Sequence, residues 1–222
     1  NEMQAEDWIL TFGLDLISPV SILIQRTITK LKQRGSYDLS DILENLESDR
    51  KTPEETRNAA VGLFEAADTW GVFARKGQEA TKVEELITAG VTSVLDLSVY
   101  NSVGAFNIRA LAISLLSRKI FNQRMSSRKE DEIASVSRGL EYSAGEMKRD
   151  NPLVWLFIDE AHEFLPLNGK TPATDALIQL LREGRQPGIS LVLATQQPGQ
   201  IHHDVMTQSD IVIAHRVTSK PD

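Results

Sequence analysis

One stretch constrains the fold of this chain more than any other: LVWLFIDEAHEF, which spans residues 153–164. It opens with six apolar residues, too few for a buried helix but typical of a strand that is covered on both faces. The run ends in two carboxylates, Asp159 and Glu160. Open α/β sheets bind their ligands beyond the carboxyl ends of such strands, so the acid pair marks a candidate site.

The chemistry of the acid pair suggests how it could act on a phosphate. Asp159 is suited to hold Mg²⁺, directly or through water, because Mg²⁺ is a hard cation that takes oxygen ligands. Glu160 is suited to polarise a water molecule that attacks a γ-phosphate. The alternative interpretation is a strand that ends at a solvated acid pair with no chemical role. The acid pair by itself does not decide between the two.

The surrounding pattern favours a parallel sheet. Residues 189–195 (ISLVLAT) form a second predicted strand, which ends in Gln196 and Gln197, and residues 210–217 (DIVIAHRV) form a third. Between the first two strands lies a predicted helix that begins at residues 171–172. Strands that alternate with helices indicate an α/β fold with a parallel sheet and right-handed crossovers. The acid pair and the two glutamines are therefore expected along the same sheet edge.

The first part of the chain is predicted to be helical. Ser18 and Pro19 are an N-cap and a first-turn proline, and Thr52 and Glu55 have the spacing of a capping box. With the apolar residues at helical spacing, these features predict helices over residues 19–35, 38–46 and 52–69. Further along, we predict strands at 72–74 and 91–97, a helix over 106–124 and an exposed, partly helical connection over 126–150.

Composition excludes several classes of protein. The chain has 222 residues, of which 41% are hydrophobic and 25% charged, as in an ordinary globular protein. It has no cysteine, which excludes disulfides and thiolate metal sites and fits a reducing, cytoplasmic location. No apolar run approaches the roughly 20 residues that span a bilayer, so no membrane association is expected. The net charge of −7 argues against a broadly basic nucleic-acid surface but allows a local basic patch.

The sequence contains no phosphate-binding loop. Such a loop needs a second glycine five residues before its Gly-Lys-Ser/Thr end, and for the candidate Gly169-Lys170-Thr171 that position is Phe164. The candidate also follows the acidic strand, whereas a phosphate loop follows an earlier strand and opens a helix. We therefore interpret Thr171 as an ordinary helix cap.

Three segments together resemble the second half of the motor domain of HerA-type DNA-translocating ATPases, in the HerA/FtsK branch of RecA-like P-loop proteins. LFIDEAHEF resembles the family's Walker B strand. LLREGRQPGISLVLATQQP resembles its Glu-Gly-Arg segment and the strand that ends in Ala-Thr-Gln, and DIVIAHRV resembles the next strand. The resemblance implies a RecA-like ATPase core over residues 72–222 and a helical insertion over residues 1–71. Because the Walker A segment is missing from these residues, we expect a piece of a longer protein that is inactive alone.

The resemblance also implies roles for single residues. Asp159 would support Mg²⁺, Glu160 would be the catalytic glutamate, and Gln196 would sense the γ-phosphate, with Gln197 beside it. Arg185 would be the finger that reaches the neighbouring subunit's nucleotide.

Two further arginines are candidates for nucleotide contacts. Arg182 competes with Arg185 for the finger role, and Arg216 would face a nucleotide at a subunit boundary. Each arginine has the alternative of being a helix-end or surface cation.

The implied cofactors and partners are ATP and Mg²⁺, a homo-hexameric ring with double-stranded DNA in its pore, and a partner nuclease in DNA end processing. Residues 200–203 would then approach DNA, whereas His162, His202 and His203 lack the spacing of a metal site. Two alternatives stay open: a catalytically silent assembly or DNA-binding module, and a transport ATPase for conjugation or genome packaging.

Overall fold

The computed structural model describes residues 3–74, 81–100, 106–137 and 152–215. The elements in these ranges are α1 (Ala5–Thr11), α2 (Pro19–Arg34), α3 (Leu39–Glu47), α4 (Glu54–Asp68), α5 (Val83–Leu86), α6 (Phe106–Ser137), β1 (Val154–Ile158), α7 (Thr174–Glu183), β2 (Ile189–Leu193) and α8 (His203–Gln208). They belong to two compact units, one of residues 1–81 and 97–115 and one of residues 82–96 and 116–222. Among the described helices, none has both the length and the apolar character needed to cross a membrane.

The first unit is helical, as predicted, and its helix ends follow local capping chemistry. Ser18 Oγ accepts a hydrogen bond from the Ser21 amide at 3.1 Å, which caps α2, and α2 ends at Gly35 with a φ of 113°. Asp38 and Asp41 exchange the two hydrogen bonds of a capping box at the start of α3. The predicted helices over 19–35 and 38–46 are therefore confirmed.

The predicted start of α4 is wrong. Pro53 precedes the helix, and no side chain caps it. The Thr52 hydroxyl accepts a hydrogen bond from Arg26 at 2.7 Å, and the Thr52 amide donates to Asp49 Oδ1 at 3.0 Å. Because Thr52 is held by Arg26 of α2 and by Asp49 in the loop after α3, the helix begins at Glu54 and forms no capping box.

The core of the first unit is built around aromatic rings. Phe64 is fully buried, and its ring centroid lies 4.7 Å from that of Trp8 and 5.2 Å from that of Phe12. Tilted and edge-on pairs at these distances are favourable arrangements of aromatic rings. The predicted apolar stripe of α4, which includes Phe64, is thus core.

The second unit contains the predicted strand–helix–strand motif. β1 and β2 pair in parallel, with Val154 opposite Ile189 and Ile158 opposite Leu193. α7 lies between them in the chain and buries Leu177 and Leu180. The α/β class with a parallel sheet flanked by helices is confirmed. Both strands therefore end at the same edge of the sheet.

The prediction that β1 is covered on both faces is wrong for the described residues. Val154 and Ile158 are buried, but Trp155 and Phe157 are 62% and 69% exposed. Side chains of a strand alternate between the two faces, and here only one face meets other described residues.

Three predicted strands are absent from the described residues. The segments 72–74, 91–97 and 210–215 make no ladder, and Val94, Ile211 and Ile213 are at least 80% exposed. A strand requires a backbone partner, which an apolar sequence cannot supply by itself. Residues 216 and 217, which complete the third prediction, lie outside the described residues.

The long helix α6 extends beyond its predicted end at Arg124 and continues to Ser137. Residues 126–137 have no apolar stripe, but they include Arg128, Lys129, Glu130 and Glu132, which are good helix formers, beside four serines. Helical propensity thus prevails where the periodicity is weak. The rest of the predicted connection, residues 138–150, lies outside the described residues.

Candidate functional site

The acid pair lies where β1 and β2 end side by side. The Ala194 amide donates to the Ile158 carbonyl and the Ala161 amide donates to the Ala194 carbonyl, both at 2.9 Å. These two bonds continue the pairing past the strand ends. They fix Asp159 and Glu160 next to the polar residues that follow β2.

Glu160 adopts a left-handed backbone conformation, with φ 48° and ψ 45°. It is the one residue other than glycine with a positive φ in the part of the chain that the structure describes. This conformation costs a residue with a Cβ atom about 1–2 kcal/mol. A glycine would remove that cost but also the carboxylate, and strain of this kind is typical of functional sites.

The strain can be measured with two substitutions that both remove the carboxylate. We expect Glu160→Gly to be more stable than Glu160→Ala by about 1 kcal/mol, because only alanine keeps the left-handed cost. The measurement is urea denaturation of the 222-residue chain. The control is the same pair of substitutions at Asp175 in α7, where alanine should be the more stable. Equal stabilities at position 160 would contradict a strained backbone there.

The carboxylate of Glu160 is in contact with residues that follow β2. Gln196 Nε2 donates to Glu160 Oε1 at 2.7 Å. On the other side, His162 Nδ1 lies 3.5 Å from Glu160 Oε2 and 2.9 Å from Thr195 Oγ1. Glu160 Oε2 is inaccessible to solvent and accepts no hydrogen bond. The structure thus brings together the two predicted residues Glu160 and Gln196, and adds His162 and Thr195, which sequence analysis missed.

The other predicted residues at this edge, Asp159 and Gln197, take no part in the Glu160–Gln196 hydrogen bond. Asp159 is exposed, and its Oδ1 accepts a hydrogen bond from the Glu160 amide at 2.9 Å. Gln197 is also exposed, and its backbone amide donates to Thr195 Oγ1 at 3.0 Å. Both side chains lie beside the Glu160–Gln196 pair without joining it.

Arg185 lies at the opposite end of the sheet. It is exposed in the turn between α7 and β2, and β2 separates it from Gln196. Five residues of strand span about 16 Å at about 3.3 Å per residue. Arg185 is therefore too far away to act on the acid pair of its own chain.

The other two arginines have different environments. Arg182 Nη2 lies 2.5 Å from Asp204 Oδ2, a contact with the distance of an ion pair but without the alignment of a hydrogen bond. This contact joins α7 to α8 and leaves Arg182 less available than Arg185. Arg216 lies outside the described residues.

The Gly169-Lys170-Thr171 loop is held by structural contacts. Thr171 Oγ1 donates to the Phe164 carbonyl at 2.9 Å and accepts from the Ala173 amide at 3.2 Å. Lys170 Nζ lies 2.8 Å from Asp175 Oδ1. α7 begins at Thr174, three residues after the cap predicted at Thr171.

If this loop binds no phosphate, removing its lysine should have little effect. Given the ATPase role that the sequence resemblance implies, we expect Lys170→Ala in the full-length protein to keep ATP affinity and turnover within about twofold of the parent, since it breaks an exposed ion pair of about 0–1 kcal/mol. The measurements are equilibrium ATP binding and steady-state hydrolysis. A loss of ATP affinity of tenfold or more would identify the loop as a phosphate site.

Residues 200–203 belong to a well-packed segment. The Leu167 amide donates to the Gln200 carbonyl and the His202 amide donates to the Leu165 carbonyl, both at 2.7 Å. Ile201 is buried, and His202 Nδ1 accepts from the Asp204 amide at 3.2 Å at the start of α8. In the described ranges, no cluster of three His, Cys, Asp or Glu side chains could hold a metal ion.

The residues of this site lie within a match to a known protein family. Residues 103–219, more than half of the 222 residues, match the model of the family described as Zonular occludens toxin (Zot). The chain belongs to the Zot family. Domains of the Zot family are of RecA-like P-loop ATPase type, which agrees with the fold expected from the sequence.

Two relatives of this Zot-family chain are DNA repair helicases by name. The chain is 25% identical over 162 residues to the DNA double-strand break repair helicase HerA of Pyrococcus furiosus, a match that covers 68% of the chain and 29% of the relative. It is 38% identical over 69 residues to the probable DNA double-strand break repair helicase HerA of Methanocaldococcus jannaschii, which covers 31% of the chain and 14% of the relative. The resemblance to HerA is confirmed, and the chain spans less than a third of either relative's length.

Proposed function

We propose that this chain supplies the hydrolytic half of an ATP site in a DNA-translocating motor of HerA type. One observation carries the proposal. At the carboxyl ends of two parallel strands, Glu160 Oε1 lies 2.7 Å from the side-chain nitrogen Nε2 of Gln196. The backbone of Glu160 is in a strained, left-handed conformation at this position. A carboxylate beside an amide that can contact a γ-phosphate is suited to orient the attacking water.

The roles follow from the chemistry of each group. Glu160 would accept a proton from the attacking water. Gln196 would contact both the γ-phosphate and the Glu160 carboxylate, so that the carboxylate is positioned relative to the phosphate. Gln197 would lie at the rim of the site. Asp159 would hold Mg²⁺ through water, since its exposed carboxylate presents the oxygen ligands that this ion prefers.

The donor set fits Mg²⁺ that arrives with a nucleotide. Proteins bind this ion with one or two carboxylates while phosphate oxygens and waters complete the octahedron. Asp159 provides such a carboxylate, exposed directly after β1. Mg²⁺ would neutralise charge on the transferred phosphoryl group. The phosphates themselves would be held by residues outside this chain, which makes the chain alone inactive.

A ring of subunits would complete the site. Arg185 is exposed at the end of the sheet away from Glu160, as expected of a residue that serves a neighbour's nucleotide. We propose a homo-hexamer in which Arg185 acts between subunits, with Arg216 at the same boundary. Arg182 is the weaker candidate for the finger because it is paired with Asp204.

The wider role follows from the relatives and rests on them alone. Both are named as DNA double-strand break repair helicases. We propose double-stranded DNA in the ring pore, a partner nuclease in DNA end processing and a cytoplasmic location. Residues 1–71 would be a helical lobe and residues 72–222 part of the ATPase core.

The proposal is tested by hydrolysis assays on the full-length protein with and without double-stranded DNA. We expect Mg²⁺-dependent ATP hydrolysis that DNA stimulates. A silent assembly or DNA-binding module would bind DNA without turnover. A transport ATPase would hydrolyse ATP but show no preference for broken DNA ends over closed circles.

A further inference from the structure

We propose that His162 is a positioning residue for Glu160, and that it acts through a proton on Nδ1. This inference rests on the proposed role of Glu160. The protonated nitrogen would donate to Glu160 Oε2 and to Thr195 Oγ1 together. His162 would thereby hold the Glu160 carboxylate in the orientation in which it accepts a proton from the attacking water.

The first argument is the unpartnered carboxylate oxygen. Glu160 Oε1 accepts a hydrogen bond from Gln196, but Oε2 is shielded from solvent without one. A shielded polar atom without a hydrogen bond is unfavourable, and more so when it is charged. His162 Nδ1, at 3.5 Å, needs only a small shift to become its donor. Hydrogen bonds at catalytic groups are often long before the substrate binds and shorten afterwards.

The second argument is the way His162 itself is held. Its side chain is only 14% exposed, and Nδ1 lies 2.9 Å from the Thr195 hydroxyl. That hydroxyl also accepts a hydrogen bond from the backbone amide of Gln197 at 3.0 Å. Thr195 is thus fixed by the backbone after β2, and it fixes the imidazole in turn. The left-handed turn at Glu160 brings a side chain two residues later back to the carboxylate.

The tautomer decides whether the contact can form. A neutral imidazole carries one proton, and the nitrogen without it can only accept a hydrogen bond. If the proton is on Nδ1, His162 can donate to both oxygens. If it is on Nε2, the Thr195 hydroxyl must donate to Nδ1, and Glu160 Oε2 stays without a partner. The two arrangements share the same heavy-atom distances but differ in function.

The test is a long-range ¹H–¹⁵N correlation spectrum of the histidine rings in the 222-residue chain, at mildly alkaline pH. The four histidines are assigned by substituting each in turn. His202 is an internal control, because its Nδ1 accepts from the Asp204 amide and its neutral ring must carry the proton on Nε2. We expect the opposite tautomer at His162. A ring with the proton on Nε2 would overturn the proposal.

A second test uses kinetics of the full-length protein. His162→Leu removes the donor, and we expect it to lower kcat by about 10- to 100-fold with little change in KM, as misplaced catalytic groups do. His162→Asn keeps an N–H donor near the position of Nδ1 and should recover most of that loss. If both substitutions lower kcat equally, His162 does not act by donation. If Glu160→Gln abolishes turnover while His162→Leu is unaffected, only this inference fails, whereas an active Glu160→Gln refutes the proposed function.

Discussion

Glu160→Gln should lower ATP turnover of the full-length protein by about two to four orders of magnitude, the usual contribution of a general base. Glutamine has nearly the same shape as glutamate but cannot accept a proton from water. It can still contact Gln196, which lies 2.7 Å from Glu160 Oε1, so the strand ends should keep their arrangement. The measurement is steady-state phosphate release at saturating Mg·ATP.

Equilibrium binding on the same samples separates chemistry from affinity. ATP affinity should stay within a few fold of the parent, because we propose that other residues of the protein hold the phosphates. The matched control is Glu163→Gln, which removes a carboxylate from the 3₁₀ turn Ala161–Glu163 that directly follows Glu160. Parental turnover in Glu160→Gln would show that Glu160 is not the base.

Arg185→Ala should reduce turnover by about three to five orders of magnitude if its guanidinium completes the site of a neighbouring subunit. The guanidinium would neutralise charge that develops on the transferred phosphoryl group. Arg185 is exposed at the end of the sheet opposite Glu160, so we expect the effect to arise between subunits. Arg182→Ala is the control, and it should mainly cost stability because Arg182 is paired with Asp204.

A mixing experiment distinguishes action between subunits from action within one. Two inactive variants, Glu160→Gln and Arg185→Ala, are combined and allowed to exchange subunits. Some interfaces then receive an intact Glu160 from one variant and an intact Arg185 from the other, so activity should return in part. If both residues had to come from the same subunit, no mixture would exceed the activity of its components.

Local features of the sequence predicted the helical elements well. Ser18, Pro19 and Asp38 predicted helix starts correctly because a cap is formed by residues adjacent in the chain. Thr52 failed for the opposite reason: its hydroxyl contacts Arg26, which is distant in sequence. The predicted strands also divide into those that were correct and those that were not, because a strand depends on a partner that is distant in sequence. β1 and β2 pair with each other, whereas residues 91–97 form no ladder with any of the described residues.

The candidate site was predicted only in part. The position of Glu160 and Gln196 followed from strand order, because parallel strands end at one edge. The left-handed conformation of Glu160 could not be predicted from the sequence, since this conformation is usually adopted by glycine or asparagine and residue 160 is neither. The His162–Thr195 contact spans 33 residues and depends on that backbone turn. It could be found only once the turn was known.

We propose that this chain carries the hydrolytic residues of an ATP site and that the phosphates are bound by other residues. Isothermal titration with Mg·ATP of the 222-residue chain, beside the full-length protein, tests it most directly. We expect micromolar binding to the full-length protein and no detectable heat with the chain alone. Micromolar binding to the chain alone would contradict the claim and make the Gly169-Lys170-Thr171 loop the first candidate for a phosphate site.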